Sequence, residues 1–359
     1  MTADNSKAVI AEAEKCDARG DHDEAINVLA RATQSGNQIA KTKLGKRLLV
    51  GDRSPYLPKE GAVFILEAAK ANIAEAVSVV AVFQATGIYQ EQNWAQALVT
   101  LTHAAALGSL SAREQILLLA DQGESIKDPT LLENDKANYW TNIASKIKLE
   151  SWLTPPEGRV LHEDPLIKTF TELLPAPICR WLIRLSNNRL KPALVYDSEN
   201  KRNYLSKTRT NSIAEFNLIE NEFLHFLIQK KMSIACNIPM KQMEGTAILH
   251  YKPGEEISEH FDFVDPNLPN YEQEIRDNGQ RIITFLIYLN EEYEGGETAF
   301  TELDLSYKGQ TGDGIYFVNA LPDGSSDLRT KHAGRPTSSG EKWIVSQFIR
   351  NREVKYVLE

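Results

Sequence analysis

Two histidines and an aspartate are the residues best suited to chemistry in this chain. His260 and Asp262 close the run HYKPGEEISEHFDF, and His332 opens KHAGRPTSSGEKWIVSQF about seventy positions later. On a strand, residues i and i+2 project to one face, so His260 and Asp262 point together while Phe261 turns into packing. One imidazole, one carboxylate and a second imidazole on one face of an octahedron form the donor set of a non-haem ferrous site. Such a site leaves three positions for a bidentate co-substrate and dioxygen. Lys342, ten residues after His332 on the strand EKWIVSQF, could aim a cation at the far end of a dicarboxylate. An HxD pair alone is weak evidence. His162 and Asp164 form another, ahead of Pro165 in SWLTPPEGRVLHED; with no strand pattern or downstream partner, that copy reads as a surface linker.

The elements that must position these residues change in character along the chain. From Gly245 onward, GTAILHY, RIITFLIYL, GIYFVNA and KWIVSQFI are short β-rich runs separated by Gly, Asp, Pro and Asn, the pattern of strands and turns. No helices alternate with them, so a sandwich or jelly roll is expected rather than a parallel sheet. Before them the pattern predicts a helix over 164–186 broken at Pro175 and Pro177, and a strand and hairpin from Leu194 through SENK. A further helix is expected over 217–234. The acidic segment DFVDPNLPNYEQEIRDN reads as a loop able to act as a lid over substrate.

The first third repeats with a step of 36. Ala25, Gly61 and Ala97 correspond, as do Leu29, Ile65 and Leu101; Ala32, Ala68 and Ala104; and Ala40, Ala76 and Ala112. Gly36, Asn72 and Gly108 fall where a helix end needs a left-handed residue, and Gly51, Gly87 and Gly123 end a second helix in the same way. Each unit therefore reads as a helical hairpin that must stack on its neighbours to bury its apolar face. A helix over 136–147, carrying Tyr139 and Trp140, is expected to cap the stack. Pro155-Pro156 and Gly158 interrupt helix formation and suggest a domain boundary, with repeats in 1–150 and the β-rich domain in 151–359.

The chain of 359 residues is 42% hydrophobic and 25% charged, with net charge −9, which gives general phosphate binding no electrostatic support. Cys16, Cys179 and Cys236 are scattered and odd in number, so neither a zinc ribbon nor a disulfide framework is expected. The N-terminus lacks a signal-peptide pattern, and no run approaches the ~18 apolar residues of a membrane span. A soluble, cytoplasmic protein with neither nucleic-acid nor membrane partners is expected.

The blocks TRTNS, LHYKPGEEISEHFDF, GQRIITFLIYLN, EEYEGGETAF, KGQTGDGIYF and KHAGRPTSSGEKWIVSQFI, in this order and spacing, resemble the 2-oxoglutarate/Fe(II) dioxygenases of the prolyl 4-hydroxylase type. The 36-residue units resemble Sel1-like repeats, relatives of the tetratricopeptide repeat. These resemblances imply an α+β chain: an α-helical repeat solenoid followed by a double-stranded β-helix (jelly-roll) catalytic domain with supporting helices. They imply Fe(II) held by His260, Asp262 and His332. They also imply 2-oxoglutarate paired at its C5 carboxylate with Lys342, a further hydrogen bond from Thr284, and contacts from Tyr251 and Tyr288. Arg281 and Arg209 fall where the family places substrate-side polar groups, and Phe348 stands where it often has Trp. The resemblance further implies dioxygen as co-substrate, succinate and carbon dioxide as co-products, and room for ascorbate as an auxiliary reductant. The expected reaction is hydroxylation of prolyl residues in a protein or peptide, a substrate that the repeats offer a surface to hold. The residues leave open the same chemistry on another residue or a small molecule, and a repeat scaffold with a silent or sensing barrel.

Overall fold

The structure is a computed structural model that describes residues 3–121, 133–134, 136–197, 202–269 and 271–354. The chain forms two compact units. One runs to Trp152 and also takes Asn217–Ile228; the other holds Leu153–Phe216 and Gln229–Tyr356.

The first unit is built from helices α1 (Ala3–Ala18), α2 (His22–Gln34), α3 (Gln38–Val50), α4 (Pro58–Lys70), α5 (Ala74–Thr86), α6 (Trp94–Ala106) and α7 (Leu110–Leu119). The pairs α2/α3, α4/α5 and α6/α7 are the hairpins expected from the 36-residue step. Their small residues pack at the crossings: Ala25, Ala97, Ala68, Ala104, Ala40, Ala76 and Ala112 have no exposed surface. Gly36, Asn72 and Gly108 all have positive φ, as do Gly51 and Gly87; Gly123 lies outside the described residues. The expected cap is shorter than its sequence pattern, Ala137–Ala144, with Trp140 buried and its indole N–H donating to the Asn134 carbonyl at 2.7 Å.

Gly61 marks the tightest crossing. A Cβ there would lie 2.7 Å from the Gly45 carbonyl oxygen and 2.8 Å from the Leu49 nitrogen. Alanine would raise helix propensity by ~1 kcal/mol, but forcing two backbones apart costs about 1–3 kcal/mol. Gly61→Ala is therefore expected to lower the melting temperature of the repeat unit, measured calorimetrically, although alanine stands at the equivalent positions 25 and 97.

The boundary near residue 150 captures only part of the division. The segment Asn217–Ile228 belongs with the helices: Leu218 and Phe226 cluster with Val82, and Phe223 meets Trp94 edge-on at 5.7 Å. The Leu224 amide donates to Gln115 Oε1 at 3.0 Å. The helix expected over 217–234 begins later, at Phe223, and runs to Cys236.

The second unit contains β1 (Arg159–His162), β2 (Ile167–Phe170), β3 (Lys191–Pro192), β4 (Val195–Asp197), β5 (Arg202–Tyr204), β6 (Ser212–Glu215), β7 (Ala247–Tyr251), β8 (Ile257–His260), β9 (Arg281–Tyr288), β10 (Tyr293–Gly295), β11 (Thr298–Phe300), β12 (Leu305–Tyr307), β13 (Gly314–Val318), β14 (His332–Gly334), β15 (Thr337–Gly340) and β16 (Lys342–Arg350). An eight-stranded sheet runs β1-β2-β13-β9-β16-β7-β6-β3, and a four-stranded sheet runs β12-β11-β14-β8. Alternate residues of the larger sheet, among them Tyr251, Leu286, Tyr288, Phe317 and Ile344, share one core with Phe300 of the smaller sheet. This is the jelly-roll arrangement. The larger sheet is buried on its other face too: Gln229, on the helix Phe223–Cys236, donates to Gln347 Oε1 of β16 at 3.0 Å. Burial on both faces explains why RIITFLIYL and KWIVSQFI read as nearly continuous apolar runs.

Three local expectations change. The helix expected over 164–186 is strand β2 followed by a helix at Ala176–Asn187, with Pro175 as its N-cap and Pro177 in its first turn; these prolines start the helix rather than break it. The second HxD does touch a strand, since His162 ends β1. Its groups are used locally, with His162 Nδ1 2.9 Å from the Pro165 carbonyl and Asp164 paired with Arg329 at 2.8 Å. The second half of the expected lid is a helix, Tyr271–Asn278. Strands β4 and β5 pair as the hairpin requires, while SENK itself, residues 198–201, lies outside the described residues.

Candidate metal centre

Antiparallel pairing of β14 with β8 sets His332 directly opposite His260. Asp262 follows two residues beyond His260, just past the end of β8 rather than within it. The ligand-capable atoms of the three lie within 4.8 Å of one another. His260 Nε2 is 3.3 Å from Asp262 Oδ1, and His332 Nε2 is 3.3 Å from Asp262 Oδ2. Each ring is oriented from behind, His260 Nδ1 lying 2.9 Å from the Ser258 carbonyl and His332 Nδ1 2.9 Å from the Thr330 carbonyl. An Nδ1–H donated to a carbonyl leaves Nε2 with its lone pair inward. Two such lone pairs facing a buried carboxylate require a cation among them. A divalent metal fits that donor set.

Burial works against ionisation of Asp262, yet the two imidazoles hold its carboxyl well below the usual range. Burial likewise opposes charge on His260, but the Asp262 carboxylate outweighs it and raises the imidazole above its ordinary value.

Thr284 sits elsewhere than expected. Its hydroxyl donates to Asp262 Oδ2 at 2.7 Å and accepts from Asn319 Nδ2 at 3.0 Å. On β9 it faces Phe348 of β16, six residues from Lys342, or roughly 20 Å along the strand at ~3.3 Å per residue. Thr284 therefore belongs to the metal end and not to the lysine end.

Lys342 is 1% exposed. Its ammonium donates to the Gly296 carbonyl at 2.7 Å and lies over the rings of Tyr251, at 4.9 Å, and Tyr288, at 5.7 Å. Burial lowers its pKa to about 7. Tyr251, opposite Lys342 on β7, reaches back toward the triad, since a Cβ on Gly334 would lie 3.7 Å from its hydroxyl. Tyr288 Oη is 2.9 Å from Thr298 Oγ1 and 3.1 Å from the Tyr307 carbonyl. Burial pushes the Tyr251 and Tyr288 phenols up, so both stay neutral. Thr298, 2% exposed, is the hydroxyl at this end that residue-by-residue reading missed. It lay within the block EEYEGGETAF, and only its register on β11, opposite Gly334, brings it here.

A cleft of about 800 Å³ opens beside Asp262, lined among others by Phe261, Phe263, Leu268, Tyr271 and Arg281. Arg281 is already paired: its guanidinium donates to Glu244 at 2.7 and 2.9 Å and lies 3.8 Å over the Phe348 ring. Phe348 thus forms wall under a cation. Burial disfavours charge on Glu244, but Arg281 and Arg350 keep its carboxyl below the usual range. Arg209 bridges to Ile257 ahead of His260, with its Nε buried and unpartnered among the described residues. The segment after Asp262 is anchored by Gln280, whose amide accepts from the Val264 N–H and donates to the Val264 carbonyl, both at 2.7 Å.

Residues 246–350 match the 2OG-Fe(II) oxygenase superfamily. The chain is 30% identical over 229 residues to a putative prolyl 4-hydroxylase of Acanthamoeba polyphaga mimivirus, covering 62% of this chain and 90% of that protein. It is also 30% identical over 216 residues to probable prolyl 4-hydroxylase 3 of Arabidopsis thaliana, covering 55% and 73%. Among solved structures, the 2OG complex of the viral collagen prolyl hydroxylase from Paramecium Bursaria Chlorella virus-1 aligns at 27% identity over 51% of this chain and 95% of that one, with a TM-score of 0.39. The chain belongs to the 2OG-Fe(II) oxygenase superfamily, among its prolyl 4-hydroxylase homologues.

Proposed function

We propose that the protein hydroxylates prolyl residues of a protein or peptide, consuming 2-oxoglutarate and dioxygen and releasing succinate and carbon dioxide. Fe(II) in the family supplies the dioxygen activation that no side chain can. His260, Asp262 and His332 would hold it. Lys342 carries the reading: its buried ammonium has the Gly296 carbonyl as its one hydrogen-bond acceptor among the described residues and feels Glu297 only through space, so an anion in direct contact would complete it. Its carboxylate partner would bring a second anionic end toward the triad, which is the shape of a short dicarboxylate. Thr298 can donate to the same carboxylate when Tyr288 supplies the bond between them, and Tyr251 walls the space between lysine and metal.

The cleft beside Asp262 is open and of mixed lining, with acidic groups at Asp265, Glu274 and Asp277; its apolar side, Phe261, Phe263 and Leu268, suits a proline ring. Arg281, held by Glu244, serves there as a fixed edge, while Arg209, beside the strand that carries His260, adds positive charge near the triad. Stacked helical hairpins favour a protein substrate over a free metabolite, since such surfaces serve extended peptide binding. No described helix is long and apolar enough to cross a membrane; the acidic composition and scattered cysteines support a cytoplasmic setting. The test is direct. Proline-rich peptides incubated with the Fe(II)-loaded protein and 2-oxoglutarate should gain oxygen as hydroxyproline, with one succinate per hydroxyl. Succinate formation with oxygen on another residue would reassign the substrate, and absence of succinate would reject the oxygenase chemistry.

A further inference from the structure

We infer that Thr284, aimed by Asn319, is a positioning residue that decides which oxygen of Asp262 is offered to the metal. The inference rests on the reading of His260, Asp262 and His332 as ligands. Asn319 is completely buried, and its Nδ2 donates into Thr284 Oγ1 at 3.0 Å. With that lone pair occupied, the Thr284 proton is directed at Asp262 Oδ2, 2.7 Å away. Both bonds are buried, so no water competes for them. The Asn319 carbonyl oxygen has no partner among the described residues, a costly state for a buried acceptor. The opposite amide orientation would turn that oxygen toward Thr284 and draw its proton away from Asp262.

The consequence is asymmetry in the carboxylate. Each oxygen faces one imidazole at 3.3 Å, Oδ1 that of His260 and Oδ2 that of His332, but only Oδ2 also takes a charge-assisted hydrogen bond from a hydroxyl among the described residues. Asp262 would thereby bind a metal through Oδ1 rather than through both oxygens, because chelation by both would cost the Thr284 hydrogen bond. A single-oxygen carboxylate would leave more of the metal to the co-substrate and dioxygen. Partners of this kind, behind a ligand, typically govern metal affinity by about 10–100-fold.

The experiment uses the full chain without oxygen and without 2-oxoglutarate, titrated with Mn(II) and read by the electron-paramagnetic-resonance signal of free Mn(II). Thr284→Val keeps the shape and removes the hydroxyl; Thr284→Ser keeps the hydroxyl and removes the methyl. Thr284→Val is expected to weaken Mn(II) binding at least about tenfold, and Thr284→Ser to stay within about twofold of the parent. Asn319→Asp, which replaces the donor by an acceptor, should weaken binding as Thr284→Val does. Melting of the metal-free variants confirms that each is folded at the assay temperature. Unchanged affinity in Thr284→Val, or equal losses in the Val and Ser variants, would overturn the inference, the latter because only packing would then matter. If Asn319→Asp binds as the parent does, Asn319 drops out of the relay. The ligand assignment is checked separately: a parent that binds no Mn(II), or a His260→Ala variant that binds it unchanged, would remove that assignment and the relay with it.

Discussion

Lys342→Ala is expected to raise the 2-oxoglutarate concentration needed for half-saturation by about 100-fold or more, while Mn(II) affinity stays within about twofold. Truncating one partner of a buried, hydrogen-bonded charge pair costs about 2–5 kcal/mol, and each 1.4 kcal/mol is tenfold. The lysine is 1% exposed, so no water replaces the lost ammonium for the incoming carboxylate. Titration calorimetry with the metal-loaded protein separates the two affinities, and equal losses of both would contradict the assignment. The same residue sets a pH dependence. Burial holds the free lysine near pKa 7, and a bound carboxylate demands its charged form. Affinity for 2-oxoglutarate should therefore be highest below pH 7 and fall about tenfold per unit above it, with proton uptake on binding at pH 8. Lys342→Arg should flatten that profile. In the unbound chain the sign reverses. An unfolded lysine keeps its proton to about 10.4, so between 7 and that value the unfolded state binds more protons and stability rises with pH.

Asp262→Asn should reduce Mn(II) affinity by more than about 100-fold and bring turnover below detection. The substitution keeps the shape but removes the negative charge that two inward lone pairs and a divalent cation require together, a larger loss than that of a supporting partner, which is about 10–100-fold. The measurement is again the free Mn(II) signal, alongside the weak visible band that the iron and 2-oxoglutarate complex should show under argon. A variant retaining both would place the metal elsewhere.

The two ends of this site differ in how legible they were. His260, Asp262 and His332 could be picked out because a two-residue strand spacing and an ordered series of flanking blocks are both local properties. Lys342 followed from its interval after His332. The threonines did not follow, because Thr284 and Thr298 are equally plausible on strands that both approach the site. Only the pairing of β9 with β16, which sets Thr284 opposite Phe348, and of β11 with β14, which sets Thr298 opposite Gly334, assigns one to the metal and the other to the lysine. The same holds for Arg281, whose charge is neutralised by Glu244 from 37 positions away.

Features that repeat locally or recur at a fixed step are legible in the order of the amino acids. The 36-residue helical units, the short buried strands and the HxD with its distant histidine are all written in side-chain type and spacing. Tertiary structure alone decided what depends on partners far along the chain. It assigned Asn217–Ile228 to the helical unit through Trp94, Val82 and Gln115, and diverted the second HxD to Pro165 and Arg329. It also moved Thr284 from the co-substrate to Asp262. A hydrogen bond or a packing contact is a property of two residues brought within a few ångströms. For Thr284 strand register determines which two they are; for Asn217–Ile228 and Asp164 it is the packing of segments distant along the chain.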